Sequence, residues 1–219
     1  MLTTVIFDMD GLLIDSEPLW QEAGTEVMAR YNVSLTTDQY HSSTGLRTSE
    51  WIQHWFNHFN VSKDHAPEAE TAIVRKAIEK IGGRGLAMPG MQHVLSFFKE
   101  RGFHIGLASS SPMALIEVVV SKLQIGAFIN VLTSAEYLPY GKPHPQVYLD
   151  CAAALDVAPV ECLCFEDSFN GMIAAKAARM KCVVVPERGQ YQQARWGAAD
   201  LKLGSLVNFN GLLLESLGG

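Results

Sequence analysis

The stretch Val5-Ile6-Phe7-Asp8-Met9-Asp10-Gly11 constrains this chain most, because an apolar run gives way at once to two carboxylates and a glycine. Val5 to Phe7 is too short and too apolar for anything but a buried strand, and Gly11 ends it in a turn. Asp8 and Asp10 then stand just past the strand's carboxyl end, where residues two apart in extended backbone face one side. Both acids can address one ligand. Two like charges so close do not both ionise cheaply unless a cation intervenes, so one pKa is pushed up. That asymmetry suits a nucleophile beside a proton donor; the plain alternative is a turn carrying two solvated acids.

Beyond Pro18 the pattern is helical. Leu19 to Tyr31, Thr48 to Phe59 and Glu68 to Ile81 carry apolar residues at helical spacing, with Asn32 to Thr44 as a loop and Gly82-Gly83-Arg84-Gly85 as a flexible junction. Helical and strand-like segments then alternate. Strands are expected at Phe103–Ala108, Phe128–Thr133, Cys162–Phe165, Cys182–Val185 and Leu201–Leu203, and helices at Met91–Arg101, Pro112–Leu123, Pro145–Leu155, Asp167–Arg179 and Leu206–Leu217. Ser111 reads as the N-cap of the second of these, with Pro112 in its first turn. Such alternation predicts an α/β fold, a mostly parallel sheet covered on both faces.

A net charge of −6 argues against a broad surface for nucleic acid. No apolar run approaches the ~20 residues of a membrane span. With no basic and apolar leader before Asp8, the expectation is a cytoplasmic protein, by default a monomer. Cys151, Cys162, Cys164 and Cys182 have neither zinc-site nor redox spacing and read as reduced, buried residues.

In a parallel sheet, ligands bind beyond the strands' carboxyl ends. Those ends are unusually polar here: Asp8 and Asp10, then Ser109-Ser110-Ser111, then Glu166-Asp167-Ser168, with Lys142 in the loop Gly141-Lys142-Pro143. Each alone is an ordinary cap or loop; together at one sheet edge they describe a site. Asp8, Asp10, Glu166 and Asp167 would repel any anion unless a hard divalent cation joined them, and Mg²⁺ binds through one or two carboxylates together with substrate phosphate. The cation and Lys142 would neutralise a phosphate dianion while Ser109 and nearby amides hydrogen-bond its oxygens.

The strings DMDG, LASSS, KPHP and EDSFNG, in this order and roughly this spacing, resemble the four motifs of the haloacid dehalogenase-like phosphohydrolases. DSEP, KPHPQVYLDCAAAL and NGMIAAKAARM are similar in particular to the bacterial hexitol phosphatase and 2-deoxyglucose-6-phosphate phosphatase branch. The resemblance implies a Rossmann-like core, residues 1–15 and 86–219, with a helical cap inserted at 16–85. It implies an Mg²⁺-dependent phosphatase acting on small sugar or sugar-alcohol phosphates through an aspartyl-phosphate. Asp8 would be the nucleophile, Asp10 the acid and then the base, and Lys142 the residue orienting Asp8. Ser109 and Ser110 would hold the phosphoryl group, while Asp8, Asp10, Asp167 and Glu166 would form the metal site, Glu166 directly or from behind. Glu17 and Arg47 are added as substrate contacts. The related β-phosphoglucomutases share the motifs but place a histidine where this chain has Trp20, which favours hydrolase over mutase. A phosphosugar-binding protein without activity is the third possibility.

Overall fold

The computed structural model describes residues 1–218. Strand β1 (Thr4–Phe7) leads through Asp8 and Asp10 into the short β2 (Ile14–Asp15). Helices α1 (Glu17–Met28), α2 (Thr37–Ser42), α3 (Thr48–His58) and α4 (Ala66–Arg84) follow, and β3 (Leu86–Ala87) returns the chain by pairing antiparallel with β2. The remainder alternates: α5 (Met91–Glu100), β4 (His104–Ser109), α6 (Met113–Leu123), β5 (Val131–Ser134), α7 (Gln146–Ala154), β6 (Cys162–Glu166), α8 (Phe169–Ala177), β7 (Lys181–Val184), β8 (Leu201–Lys202) and α9 (Gly211–Ser216).

The six-stranded sheet has the order β5-β4-β1-β6-β7-β8, every pairing parallel. The apolar β1 therefore lies in the middle, and the strand that leads into Asp8 is flanked by those ending at Ser109 and Glu166. Side chains alternate between the two faces. Val5, Phe7, Ile105, Leu107, Leu163, Phe165 and Val183 pack into one core, where Phe7 stacks on Phe165 at 5.1 Å and Phe98 and Phe209 close the aromatic group. Ile6, Ala108, Cys162, Cys164 and Cys182 face the other, beneath Cys151 and Ala152 of α7 and Ala174 and Ala175 of α8. Small residues on both sides let these helices lie close to the strands, so the four buried, free cysteines have a packing explanation.

The helical segment departs from the sequence reading in two places. Thr36 and Gln39 form a reciprocal capping box that starts α2 inside the expected loop. The six residues of α2 are too few to show apolar periodicity. Gly82 to Arg84, expected as a flexible junction, complete the last turn of α4, and Lys122 donates to the carbonyls of Gly82 and Gly83. Tertiary packing overrides the weak helical propensity of glycine there. Helices α1 and α4 pack together, with Glu22 and Glu26 facing Lys76, Lys80 and Arg84 along their exposed seam. None of the described helices is long and apolar enough to cross a membrane.

Candidate active site

Lys142 is the cation around which the strand ends are arranged. Its Nζ lies 2.5 Å from Asp8 Oδ1, 2.7 Å from Glu166 Oε1 and 3.1 Å from the Ala108 carbonyl, in an almost completely buried position. Burial works against the ammonium, but the two carboxylates outweigh it and keep its pKa above the usual lysine range. Glu166 is fully buried: Oε1 accepts from Lys142 and from the Tyr148 hydroxyl, and Oε2 from the amides of Asp167 and Ser168 and from Ser168 Oγ. Both its oxygens serve protein donors.

Asp8 is held by one oxygen only. Among the described residues no donor reaches Oδ2, and Asp8 lines a chamber of about 90 Å³. Burial, then Glu166 and Asp10, outweigh Lys142 and push the Asp8 pKa up to about 8. Asp167 lines the same chamber, and burial with Glu166 and Asp8 holds its pKa well above the usual carboxylate range. Gly11 (φ +73°) makes room for it, since a Cβ there would lie 2.2 Å from Asp167 Oδ2. Carboxylate oxygens of Asp8, Glu166 and Asp167 fall within 4.8 Å of one another. Two raised acids with oxygens free of protein donors are the environment a hard cation relieves, so the residues fit a divalent metal. The site residues belong to a set that could hold one.

Asp10 is cradled differently. Ser16 Oγ at 2.7 Å and Trp20 Nε1 at 2.9 Å donate to Oδ1, and Ser111 Oγ at 2.7 Å and Ser109 Oγ at 3.3 Å to Oδ2. Ser111 is thus a partner of Asp10 and not the N-cap of α6. Pro112 occupies that cap, because its extended ψ of 146° turns the chain before the helix starts. Sequence reasoning missed Ser16 and Tyr148 as contributors, and it placed Ser111 at the polar sheet edge without pairing it with Asp10.

Glu17 stands between this chamber and a neighbouring cavity of about 550 Å³ that reaches to Asn170, Arg188 and Arg195. Burial and the Asp10 and Asp8 carboxylates push its pKa up to about 8. The helical segment lies closed on the sheet. Ser110 Oγ donates to the Gly45 carbonyl and Asn170 Nδ2 to that of Thr44. Ser110 thus spends its hydroxyl on the closing loop. Arg47 takes a different task from the substrate anchor expected of it. Its guanidinium donates to the carbonyls of Ala135 (3.0 Å), Leu138 (2.5 Å) and Pro139 (3.3 Å) and to Glu50 (2.7 Å), whose Oε1 also accepts from the Gly141 amide. It lines neither cavity and clasps the loop that carries Lys142.

One glycine supports the whole arrangement. A Cβ at Gly171, the third residue of α8, would lie 1.7 Å from Glu166 Oε1 and 2.2 Å from Oε2. Alanine ordinarily stabilises a helix interior by up to about 1 kcal/mol over glycine, but displacing a buried carboxylate costs about 1–3 kcal/mol, so the clash wins. Gly171→Ala is expected to lower the melting temperature and to cut turnover on the order of tenfold or more, because Glu166 carries Lys142 and a methylene-sized shift there misplaces the reacting group. An unchanged melting curve and kcat would contradict this.

A family model described as haloacid dehalogenase-like hydrolase matches residues 2–179. Among curated proteins, hexitol phosphatase B of Escherichia coli (strain K12) is 42% identical over 207 residues, covering 94% of this chain and 93% of that protein. The fructose-1-phosphate phosphatase of the same strain is 28% identical over 185 residues, 83% of this chain and 95% of that protein. The crystal structure of β-phosphoglucomutase from Clostridium difficile superposes with a TM-score of 0.88 at 23% identity, covering 100% of this chain and 98% of that one. It shares the fold.

Proposed function

The chain belongs to the haloacid dehalogenase-like hydrolases and is a phosphoric monoester hydrolase, and from that premise we propose that it hydrolyses small sugar or sugar-alcohol phosphates with Mg²⁺ through an aspartyl-phosphate on Asp8. One observation carries the reading: Lys142 locks one oxygen of Asp8 and leaves the other free toward a chamber that also holds Asp10. A carboxylate so oriented is a nucleophile with a single line of attack. Asp8 Oδ2 attacks phosphorus as the ester oxygen departs, and Asp10 protonates that oxygen. Asp10 then takes a proton from the water that opens the aspartyl-phosphate, returning both acids to their starting states. Ser109 and its neighbouring amides hold phosphoryl oxygens, Lys142 keeps Asp8 in line, and the helical segment acts as a cap that excludes bulk water. Asp8, Asp167 and the Asp10 carbonyl would hold Mg²⁺, with Glu166 behind them through Lys142. When bound, Mg²⁺ offsets the repulsion between these acids and the phosphate.

Glu17 and the larger cavity beside it provide polar surface for a polyol, in keeping with the name of the relative that is 42% identical. The test is phosphate release from a panel of hexitol, hexose, deoxyhexose and β-glucose 1-phosphates, with Mg²⁺ or EDTA. Release that requires the metal, highest on hexitol or deoxyhexose phosphates, is expected. Isomerised product in place of free phosphate would establish a mutase, and binding without turnover a non-catalytic protein.

A further inference from the structure

Of the four donors on Asp10, Ser16, Ser109 and Ser111 come from the linker and the sheet edge; Trp20 alone stands within a helix of the cap, one turn into α1. An indole N–H donates and cannot accept, so the 2.9 Å contact has one sense: it orients a carboxyl oxygen and takes no proton. The ring also lines the chamber. Simple packing would leave the N–H indifferent to direction, yet it points at the one side chain in the chamber that the proposed chemistry requires to give and take a proton.

We propose that Trp20 is a positioning residue for Asp10, holding its carboxyl group in the orientation from which it serves the ester oxygen. Because Trp20 rides on the cap, this support exists only while the cap is closed, with Gly45 on Ser110 and Thr44 on Asn170. Closure then aligns the proton donor in the same movement that shuts out water. The inference rests on the hydrolase reading and on Asp10 as its acid and base. It makes a claim that reading does not: removing Trp20's N–H will penalise esters according to how badly their leaving oxygen needs a proton.

The experiment compares glucitol 6-phosphate, whose alkoxide must be protonated, with p-nitrophenyl phosphate, whose phenolate leaves without help. Trp20→Phe removes the N–H and keeps an aromatic ring. It is expected to lower kcat on the alkyl ester by about tenfold, a part of the roughly 10²–10⁴-fold that general acid catalysis contributes, with KM changing less. The loss on p-nitrophenyl phosphate should be at least about fivefold smaller, since that step draws little on the acid. In an Asp10→Asn background, Trp20→Phe should add less than about twofold on the alkyl ester, because its partner is already gone. Trp20→His, which retains a ring N–H, should keep more of the alkyl-ester rate than Trp20→Phe, and serves if the phenylalanine variant unfolds. Equal losses on the two esters, or the full loss in the Asp10→Asn background, would overturn the proposal and leave Trp20 a packing residue. Wild-type protein that hydrolyses neither ester would instead remove the hydrolase reading on which it stands.

Discussion

Asp8→Asn will abolish phosphate release and at the same time make the metal-free protein more stable. The first half follows from the nucleophilic role proposed for Asp8: an amide nitrogen or oxygen does not form the acyl-phosphate, so kcat should fall on the order of 10⁴-fold or more. The second half follows from charge. In the wild type one buried lysine faces Asp8 and Glu166, with Asp167 close by, and Asp8 titrates near 8 in place of 3.8. Between pH 4 and 8 the unfolded chain has lost this proton while the native one keeps it. The native state therefore binds more protons, and stability falls as pH rises through that window. Asparagine has no proton to lose, and Lys142 still has Glu166 and the Ala108 carbonyl. The difference in melting temperature, variant above wild type, should open from pH 5 to pH 8 in EDTA and shrink when Mg²⁺ is added. A variant less stable than wild type at pH 8 without metal would show that Lys142 needs Asp8 more than the acids repel one another.

Such a site conflicts with stability by design, and that conflict was the most legible part of the sequence. Asp8 and Asp10 were visible because an apolar strand does not end in two acids without reason, and the parallel order placed Ser109 and Glu166 beside them through β4 and β6. Strand and helix alternation is a long-period signal that survives local exceptions, so the sheet was readable. The partners of Asp10 were not. Ser16 and Trp20 lie six and ten residues downstream, and their approach depends on where the β2–β3 link sets α1, which no local pattern records. Arg47 was expected as a substrate contact, and its clasp on the Lys142 loop was not legible because its acceptors are backbone carbonyls 88 to 92 residues away, and carbonyls carry no sequence identity. Gly171 looked like one glycine in a helix start. Its role appears only when Glu166 is seen to fill the space a side chain would take.

Replacing Lys142 separates the cost of a buried charge from the loss of catalysis. Lys142→Met keeps most of the volume and removes the ammonium, stranding Glu166 and Asp8 without their cation. Breaking a buried pair in this way costs about 3–5 kcal/mol, and at about 2–4 °C per kcal/mol for a chain of this size the melting temperature should drop by roughly 10 °C or more. Asp8 can take up a proton or a metal ion, but Glu166 lies at the bottom of the site with no exposure. Adding Glu166→Gln removes the stranded charge; its amide oxygen can accept from the amides of Asp167 and Ser168, and its NH2 can donate to the Tyr148 hydroxyl oxygen. The double variant Lys142→Met with Glu166→Gln should therefore recover a large part of the lost melting temperature. It should recover none of the turnover, which falls on the order of 10³-fold in both variants because Asp8 is no longer held in line and the phosphoryl charge has lost its fixed cation. If the double variant regained activity with stability, Lys142 would be a structural counter-ion to Glu166 alone, and the alignment of Asp8 would have to come from elsewhere in the site.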